Sequence, residues 1–314
     1  MRVLVTGGAG FIGSHLCEAL LRAEHEVVAL DNFDDFYDPT VKHANLSGCQ
    51  ASARFELVRG DIRDAVLVDR LLSRRAAEVL VHLAARAGVR HSVEQPVLYQ
   101  DVNVGGTTVL LEAARRHGVG RFIFASSSSV YGNNQKVPFA ESDNVDYPIS
   151  PYAASKKAGE LICHAYHHLY GLNVTCLRLF TAYGPRQRPD LAIHKFARLI
   201  EAGKPIPVFG DGSTMRDYTY IDDIVDGHLR AVERCRGYRI YNLGESRPVT
   251  LSHLIESLEK ALGKKAIIQY REPQPGDVVQ TCADVTLARA ELGYRPTTDL
   301  EVGLARFVRW FRAQ

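Results

Sequence analysis

Seven residues near the start, Gly7-Gly8-Ala9-Gly10-Phe11-Ile12-Gly13, constrain the fold more than any other stretch of the chain. They follow Arg2-Val3-Leu4-Val5-Thr6, an apolar run that reads as a short buried strand. Phe11, Ile12, Leu16, Ala19 and Leu20 then recur at helical spacing, so a helix starts inside the glycines. Strand, glycine turn and helix N-terminus together form a phosphate cradle. Glycine tolerates φ > 0, its missing Cβ lets a pyrophosphate approach the backbone, and the first helical turn offers free N–H groups at the positive end of its dipole. A second strand, Glu26 to Leu30, ends at Asp31, about 20 residues past the glycines. A carboxylate there is placed for adenosine ribose hydroxyls. It would repel a 2′-phosphate, and Asn32-Phe33 brings no arginine, so NAD is expected over NADP.

Further apolar runs read as strands over 55–58, 78–83, 121–125 and 174–179, with helical patterns between them, the clearest at 97–117 and 151–170. Alternating strands and helices predict an α/β fold, a Rossmann-like doubly wound parallel sheet covered on both faces. After Phe180 the pattern breaks at Tyr183-Gly184-Pro185, and Pro189, Pro205, Pro207 and Gly210 to Gly212 follow. An NAD-binding domain is therefore expected over 1–180 and a smaller α/β substrate domain over 181–314. The chain is expected to return to the first domain around 222–245, through a strand at 239–243. In an open α/β sheet ligands lie beyond the carboxyl ends of the strands. Asp31, Gly60-Asp61-Ile62, Ala84-Ala85, Ser126 to Ser129 and Thr181 all fall there.

A net charge of +2 without a dense Lys/Arg run gives no case for nucleic acid. No long apolar stretch suggests a membrane span, and no leader-like segment is evident, so the cytoplasm is the expected compartment. The six cysteines form no C-x-x-C pair and read as small core residues. His164, His167 and His168 cluster on one predicted helix without a carboxylate or cysteine partner, so no metal site is expected.

Tyr152-Ala153-Ala154-Ser155-Lys156 places Tyr and Lys at i and i+4, on one helix face. A phenol of pKa near 10 is a poor base at neutral pH, and a nearby ammonium is expected to lower that value. Tyr152 is thus the candidate base for removing a hydroxyl proton, with Lys156 as its activating cation. Ser127, in the run Ser126 to Ser129, is placed to bond the substrate oxygen and relay the proton.

With these residues in place the chain resembles the extended short-chain dehydrogenase/reductases, and among them the nucleotide-sugar epimerases. The marks are the glycine motif, Asp31-Asn32, Gly60-Asp61-Ile62, His82-Leu83-Ala84-Ala85, Ser127 to Gly132, Tyr152 with Lys156, and tail motifs. The resemblance implies a homodimer and a UDP-sugar substrate. It implies that Gly7, Gly10, Phe11, Ile12, Gly13, Asp31, Asn32, Leu83, Ala84 and Ala85 line the cofactor and that Asp61 and Ile62 flank its adenine. It also implies that Phe209 packs on the uracil, that Arg216 in Gly210 to Tyr218 holds the diphosphate, and that Asp277 binds the nucleotide ribose.

Differences within the family narrow the reaction. Related dehydratases carry Asp-Glu where this chain has Ser128-Ser129, and decarboxylases usually carry Glu at the second position. Galactose epimerases have Phe-Asn where Phe180-Thr181 stands. The segments Asn32 to Pro39, Ala87 to Arg90 and Phe180 to Ala192 look most like UDP-glucuronate 4-epimerases, with Arg86 a departure from their frequent Gln. The expected reaction interconverts UDP-glucuronate and UDP-galacturonate through a 4-keto sugar. UDP-glucose 4-epimerisation is the alternative, and decarboxylation or a non-catalytic NAD-binding role stand behind it. A uronate carboxylate needs donors, and Thr181 with Arg188 is the expected set, Arg90 being the alternative clamp.

Overall fold

The computed structural model describes residues 1–272 and 278–314, and of Arg75 the backbone alone. Six strands come from the first part of the chain: β1 (Arg2–Thr6), β2 (Glu26–Asp31), β3 (Phe55–Arg59), β4 (Val79–His82), β5 (Arg121–Ser127) and β6 (Asn173–Leu179). Three further strands follow, β7 (Thr181–Tyr183), β8 (Ile206–Phe209) and β9 (Met215–Tyr220). After them come β10 (Tyr238–Leu243), β11 (Pro248–Thr250) and β12 (Ile268–Arg271). The central sheet has seven strands in the order β10-β6-β5-β4-β1-β2-β3, all parallel. The predicted strand at 239–243 is thus its outer strand, beside β6. The strand order reverses between β1 and β4, which is where such a sheet opens a crevice for a ligand.

The sheet is buried on both faces, as parallel sheets require. Val3 and Val5 of β1 face one apolar core and Leu4 faces the other. The first core is covered by the helices Phe11–Arg22 and Ile221–Arg234. The second lies under Ala65–Arg75, Gly106–Arg116 and Pro151–Tyr170. Outside the sheet, β11-β9-β7 and the pair β12-β8 form two small sheets.

The helical stretch expected over 97–117 is interrupted. Helix Pro96–Gln100 passes into one π turn, Asp101–Gly105, before helix Gly106–Arg116. The wider turn carries Asn103, whose side chain binds the Arg86 backbone on both sides: Arg86 N–H donates to Oδ1 (2.8 Å) and Nδ2 donates to the Arg86 carbonyl (3.0 Å). At Gly106 a Cβ would stand 2.5 Å from Ile62 Cδ1, so only glycine lets the helix close on that residue. The histidine cluster packs instead of facing inward chemistry: His164 meets the Tyr238 ring edge-on and His167 Nδ1 bonds the Leu172 carbonyl.

Candidate active site

The glycine turn follows β1 directly. Gly7 has φ +70°, and a Cβ on it would sit 2.8 Å from the Ala84 amide nitrogen; one on Gly13 would overlap the Gly7 carbonyl. Those two glycines are demanded by the fold itself. Gly10 differs: it caps the helix Phe11–Arg22 without any side-chain bond, and a Cβ there would meet only the Gly7 oxygen, at 3.2 Å. Its bare backbone lines an open cleft. A cradle that a single Cβ would fill, at an uncapped helix N-terminus, fits a dinucleotide pyrophosphate.

Asp31 ends β2 and is almost fully buried. Its Oδ2 accepts from the Ala9 amide (3.0 Å) and its Oδ1 from the Phe33 amide (2.9 Å). It therefore fastens β2 to the glycine turn, a task invisible in the sequence, while each oxygen keeps a lone pair for a ribose hydroxyl. Asn32 Nδ2 donates to Asp61 (3.1 Å), and the Arg63 guanidinium beside Asp61 holds its carboxyl down at about 2. Ile62 is buried next to it.

Behind the cleft, His82 joins the strand ends. The Ala84 amide donates to Thr6 Oγ1 (3.3 Å), Thr6 bonds His82 Nδ1 (2.8 Å), and His82 Nε2 bonds Thr107 Oγ1 (2.9 Å). Burial pushes this imidazole down to about 3, so it stays neutral and structural.

Tyr152 and Lys156 stand on helix Pro151–Tyr170, whose N-cap Ser150 accepts from the Ala153 amide (3.1 Å) and whose first residue is proline. One turn past Lys156, Gly159 lies against Phe124, and a Cβ there would collide with the ring. That glycine lets the helix approach β5, which brings Tyr152 to Ser127. The Ser127 hydroxyl stands beside the phenol, accepts from the Ser129 amide (3.2 Å) and donates to the Ser129 hydroxyl (3.2 Å). Lys156 Nζ donates to the Ala125 carbonyl (2.7 Å).

The electrostatics differ from the sequence expectation. Burial dominates at Tyr152 and raises its phenol above the ordinary value, opposed by the neighbouring Ser127 hydroxyl and by Arg188. Lys156 is not the opposing cation, because its ammonium is turned to the Ala125 carbonyl and burial drags it down to about 8. Arg188 is thus the charge that the phenol feels.

One cleft of about 430 Å³ joins these groups. It is lined by Gly7, Gly10, Phe11, Ile12, Gly13, Asp31, Asn32, Asp61, Ile62, Leu83, Ala84 and Ala85 at one end and by Ser127, Ser128, Ser129, Tyr152, Lys156, Thr181 and Arg188 at the other. Phe209, Arg216 and Arg90 lie outside this lining. The Arg90 guanidinium sits over the Phe209 ring at 5.0 Å, and Arg216 Nη1 donates to the Met215 carbonyl (2.9 Å). Asp277 lies outside the described residues.

The segment after β2 supplies side chains that sequence reasoning passed over. Phe36, Tyr37 and Lys42 line the cleft, with Lys42 Nζ donating to the Asp34 carbonyl (2.7 Å). Arg86 pairs with Asp34 at 2.9 Å, spanning the ends of β2 and β4 across β1. Arg188 lies 5.3 Å over the Phe36 ring and pairs with Asp190. The segment Asn32 to Pro39 was a family mark, but no local signal told which of its residues turn inward.

Known proteins agree with this geometry. The model of the NAD dependent epimerase/dehydratase family matches residues 3–244. UDP-glucuronate 4-epimerase 1 of Arabidopsis thaliana is 47% identical over 327 residues, covering 98% of this chain and 76% of its own. The crystal structure of UDP-glucuronic acid 4-epimerase from Bacillus cereus, in complex with UDP-glucuronic acid and NAD, superposes with a TM-score of 0.94 at 38% identity, over 100% of this chain and 99% of the other. UDP-glucose 4-epimerase from Thermotoga maritima, solved with UDP-glucose, gives 0.92 at 35% identity, over 100% and 99%. With a family model matched over most of its length and relatives this similar along the whole of it, the chain belongs to the NAD dependent epimerase/dehydratase family.

Proposed function

We propose that this protein is an NAD-dependent isomerase that interconverts UDP-glucuronate and UDP-galacturonate at C4, through a transient 4-keto sugar. The observation that carries the reading is the continuity of the cleft. The glycine cradle, the Tyr152–Ser127–Lys156 group and the Arg188–Thr181 pair line one cavity, with serines at 128 and 129 where acids would direct the keto sugar to other products.

Gly7, Gly10, Gly13, Asp31 and the amides opening helix Phe11–Arg22 would hold the dinucleotide, and Asp61 with Ile62 would flank its adenine. The chemistry supplied by bound NAD is reversible two-electron oxidation of the sugar C4 hydroxyl. Tyr152, ionised when the cationic cofactor is bound, would take the hydroxyl proton at its phenolate oxygen and return it when C4 is reduced. Ser127, beside Tyr152, bonds the sugar hydroxyl and relays its proton to the tyrosine. Lys156, fixed on the Ala125 carbonyl, keeps a buried positive charge one helical turn away. Thr181 and Arg188 face the C6 carboxylate, and Ser128 and Ser129, which carry no acid, bind sugar hydroxyls. Phe209, under the Arg90 guanidinium, and Arg216 would meet the UDP portion beyond the cleft. In domain terms, 1–180 with the return at 222–245 carries NAD, and 181–314 carries the nucleotide sugar.

The test is conversion of UDP-glucuronate with no added reductant. UDP-galacturonate as the main product supports the reading, and UDP-pentose as the main product makes the enzyme a decarboxylase. Tyr152→Phe should lower turnover by about 10²–10⁴-fold with the fold intact; a variant keeping more than about a tenth of the rate removes Tyr152 as the base. One observation favours UDP-glucose as a second substrate: Arg188 is already paired with Asp190, so a neutral C6 hydroxyl would not face an uncompensated cation. Parallel assays with UDP-glucose decide between the two.

A homodimer in the cytoplasm completes the reading. Val97 and Leu161 stand exposed on packed helices, an apolar surface suited to a second copy. All six cysteines are buried and unpaired, as suits a reducing compartment. Among the described residues no helix is long and apolar enough to cross a membrane. Sedimentation of the purified protein tests the dimer.

A further inference from the structure

Asp190 grips the arginine that faces the sugar. Its carboxylate takes Arg188 side-on, accepting from Nε at 3.0 Å and Nη2 at 2.8 Å. Phe36 supports the guanidinium from another direction, 5.3 Å from ring centroid to Cζ. Arg188 lines the cleft, whereas Asp190 does not. The arginine side chain is 16% exposed and the aspartate 31%, so the pair stands at the cleft wall, with its acidic half toward the outside. Of the five N–H groups of a guanidinium two are taken, which leaves three for the cleft, and the charge of the pair sums to zero.

A uronate epimerase faces two opposed demands. Its arginine must restrain the C6 carboxylate, because a 4-keto uronate is a β-keto acid that loses CO₂ when the C5–C6 bond stands perpendicular to the carbonyl plane. The keto sugar must also turn between losing its C4 hydrogen from one face and regaining it on the other. An uncompensated guanidinium forked onto a carboxylate is among the strongest polar contacts available and would hold the ring in one pose. A guanidinium already neutralised by Asp190 still offers oriented donors, but with much less attraction.

We propose that Asp190 is a positioning and specificity-determining residue: by pairing with Arg188 it sets the grip on the substrate carboxylate at a strength that restrains the uronate yet lets the keto sugar turn. The proposal rests on the reading of Arg188 as the residue facing the C6 carboxylate. It predicts a division between binding and turnover that a merely structural aspartate would not produce. In Asp190→Asn the arginine regains its net charge, so the ground state is held more tightly and the turn is hindered.

The experiment compares wild type, Asp190→Asn, Asp190→Glu, Arg188→Ala and the double variant Arg188→Ala/Asp190→Asn. The readouts are kcat and KM for UDP-glucuronate, and Kd for UDP-glucose by calorimetry. Asp190→Asn should lower KM several-fold and lower kcat by roughly tenfold, a change of about 1.4 kcal/mol in the barrier. Kd for UDP-glucose should stay level or rise, never fall, since a neutral C6 hydroxyl gains nothing from the restored charge. Asp190→Glu restores the carboxylate and should recover most of kcat. In the Arg188→Ala background the second substitution should change nothing further, because the interaction it removes is already gone. A raised KM with unchanged kcat in Asp190→Asn overturns the proposal. So does equal weakening of both sugars, or an effect that persists without Arg188. Wild-type protein that leaves UDP-glucuronate unconverted would sink the parent reading and this one together. Wild-type conversion with an Asp190→Asn variant of unaltered kinetics sinks this one alone.

Discussion

Lys156→Met should make the ligand-free protein less sensitive to pH while nearly abolishing its activity. Lys156 is 5% exposed, and its ammonium is dragged by burial from 10.5 to about 8. Its ammonium donates to the Ala125 carbonyl. Below pH 8 the folded state must carry a buried charge that the unfolded chain solvates freely, so the lysine opposes folding there. Between pH 8 and 10.5 the unfolded chain holds the proton more often than the folded one, and folding stability contributed by this group rises with pH. A shift of about 2.5 units corresponds to about 3 kcal/mol at about 1.4 kcal/mol per unit. Methionine has similar bulk and no charge, so the variant lacks this slope. It also leaves the Ala125 carbonyl without its donor, at a cost of about 1–3 kcal/mol. That packing-dependent term is the same at every pH and cancels when the pH dependences are compared.

The assay is urea unfolding of NAD-stripped wild type and variant at pH 7 and pH 10.5. Wild type should gain about 3 kcal/mol on the variant over that interval. Stability differences that stay parallel within about 0.5 kcal/mol would refute a strained ammonium at this position, whatever the variant does to turnover. A lysine that costs stability below pH 8 yet sits beside the candidate base is what a functional site, rather than a folding core, would retain.

Two further outcomes follow from the pairs around the cleft. Arg86→Gln breaks the link to Asp34 that spans the ends of β2 and β4, and should speed release of bound NAD by about 3–10-fold, read by displacement against excess NADH fluorescence; an unchanged release rate removes the pair from cofactor retention. Glu160→Gln leaves Arg178 buried without its carboxylate and sets an amide NH2 donor against its guanidinium, so unfolding free energy should fall by about 3–5 kcal/mol. A loss below about 1 kcal/mol would mean that the interior hydrates the arginine after all.

The parts legible in the sequence are those whose signal is local. Each of the seven central strands was visible as an apolar run, because burial on both faces leaves little room for polar residues. The glycine turn was readable since Gly7 and Gly13 answer to backbone geometry a few residues away. Tyr152 and Lys156 were readable because i,i+4 spacing fixes a shared helix face. What stayed hidden depends on segments distant in the chain. Gly159 earns its place only against Phe124, and the Arg86–Asp34 pair joins loops from separate strands. The direction of the Tyr152 shift was misjudged for a related reason. Spacing gives the distance to Lys156, whereas the depth of burial and the lysine's attachment to Ala125 arise only in the folded chain.

The cations of the cleft share one arrangement: each already has an oxygen partner from the protein. Lys156 holds the Ala125 carbonyl and Lys42 the Asp34 carbonyl, Arg63 pairs with Asp61 and Asp101, Arg86 pairs with Asp34, and Arg188 pairs with Asp190. The two lysines bind neutral carbonyls and keep their charge, whereas the three arginines are balanced by carboxylates. The division follows position. Lys156 stands one helical turn from the candidate base, buried, with its ammonium turned to the Ala125 carbonyl rather than to the phenol. The arginines stand at the cleft edge, where an uncompensated guanidinium would seize any anion regardless of its shape. A site arranged this way selects its ligands by fitted N–H donors and by the bare backbone at Gly10 more than by net charge. This accords with a chain of net charge +2 whose expected ligands are both anionic. It also locates the choice between acidic and neutral sugars in the balance between Arg188 and Asp190, not in either residue alone.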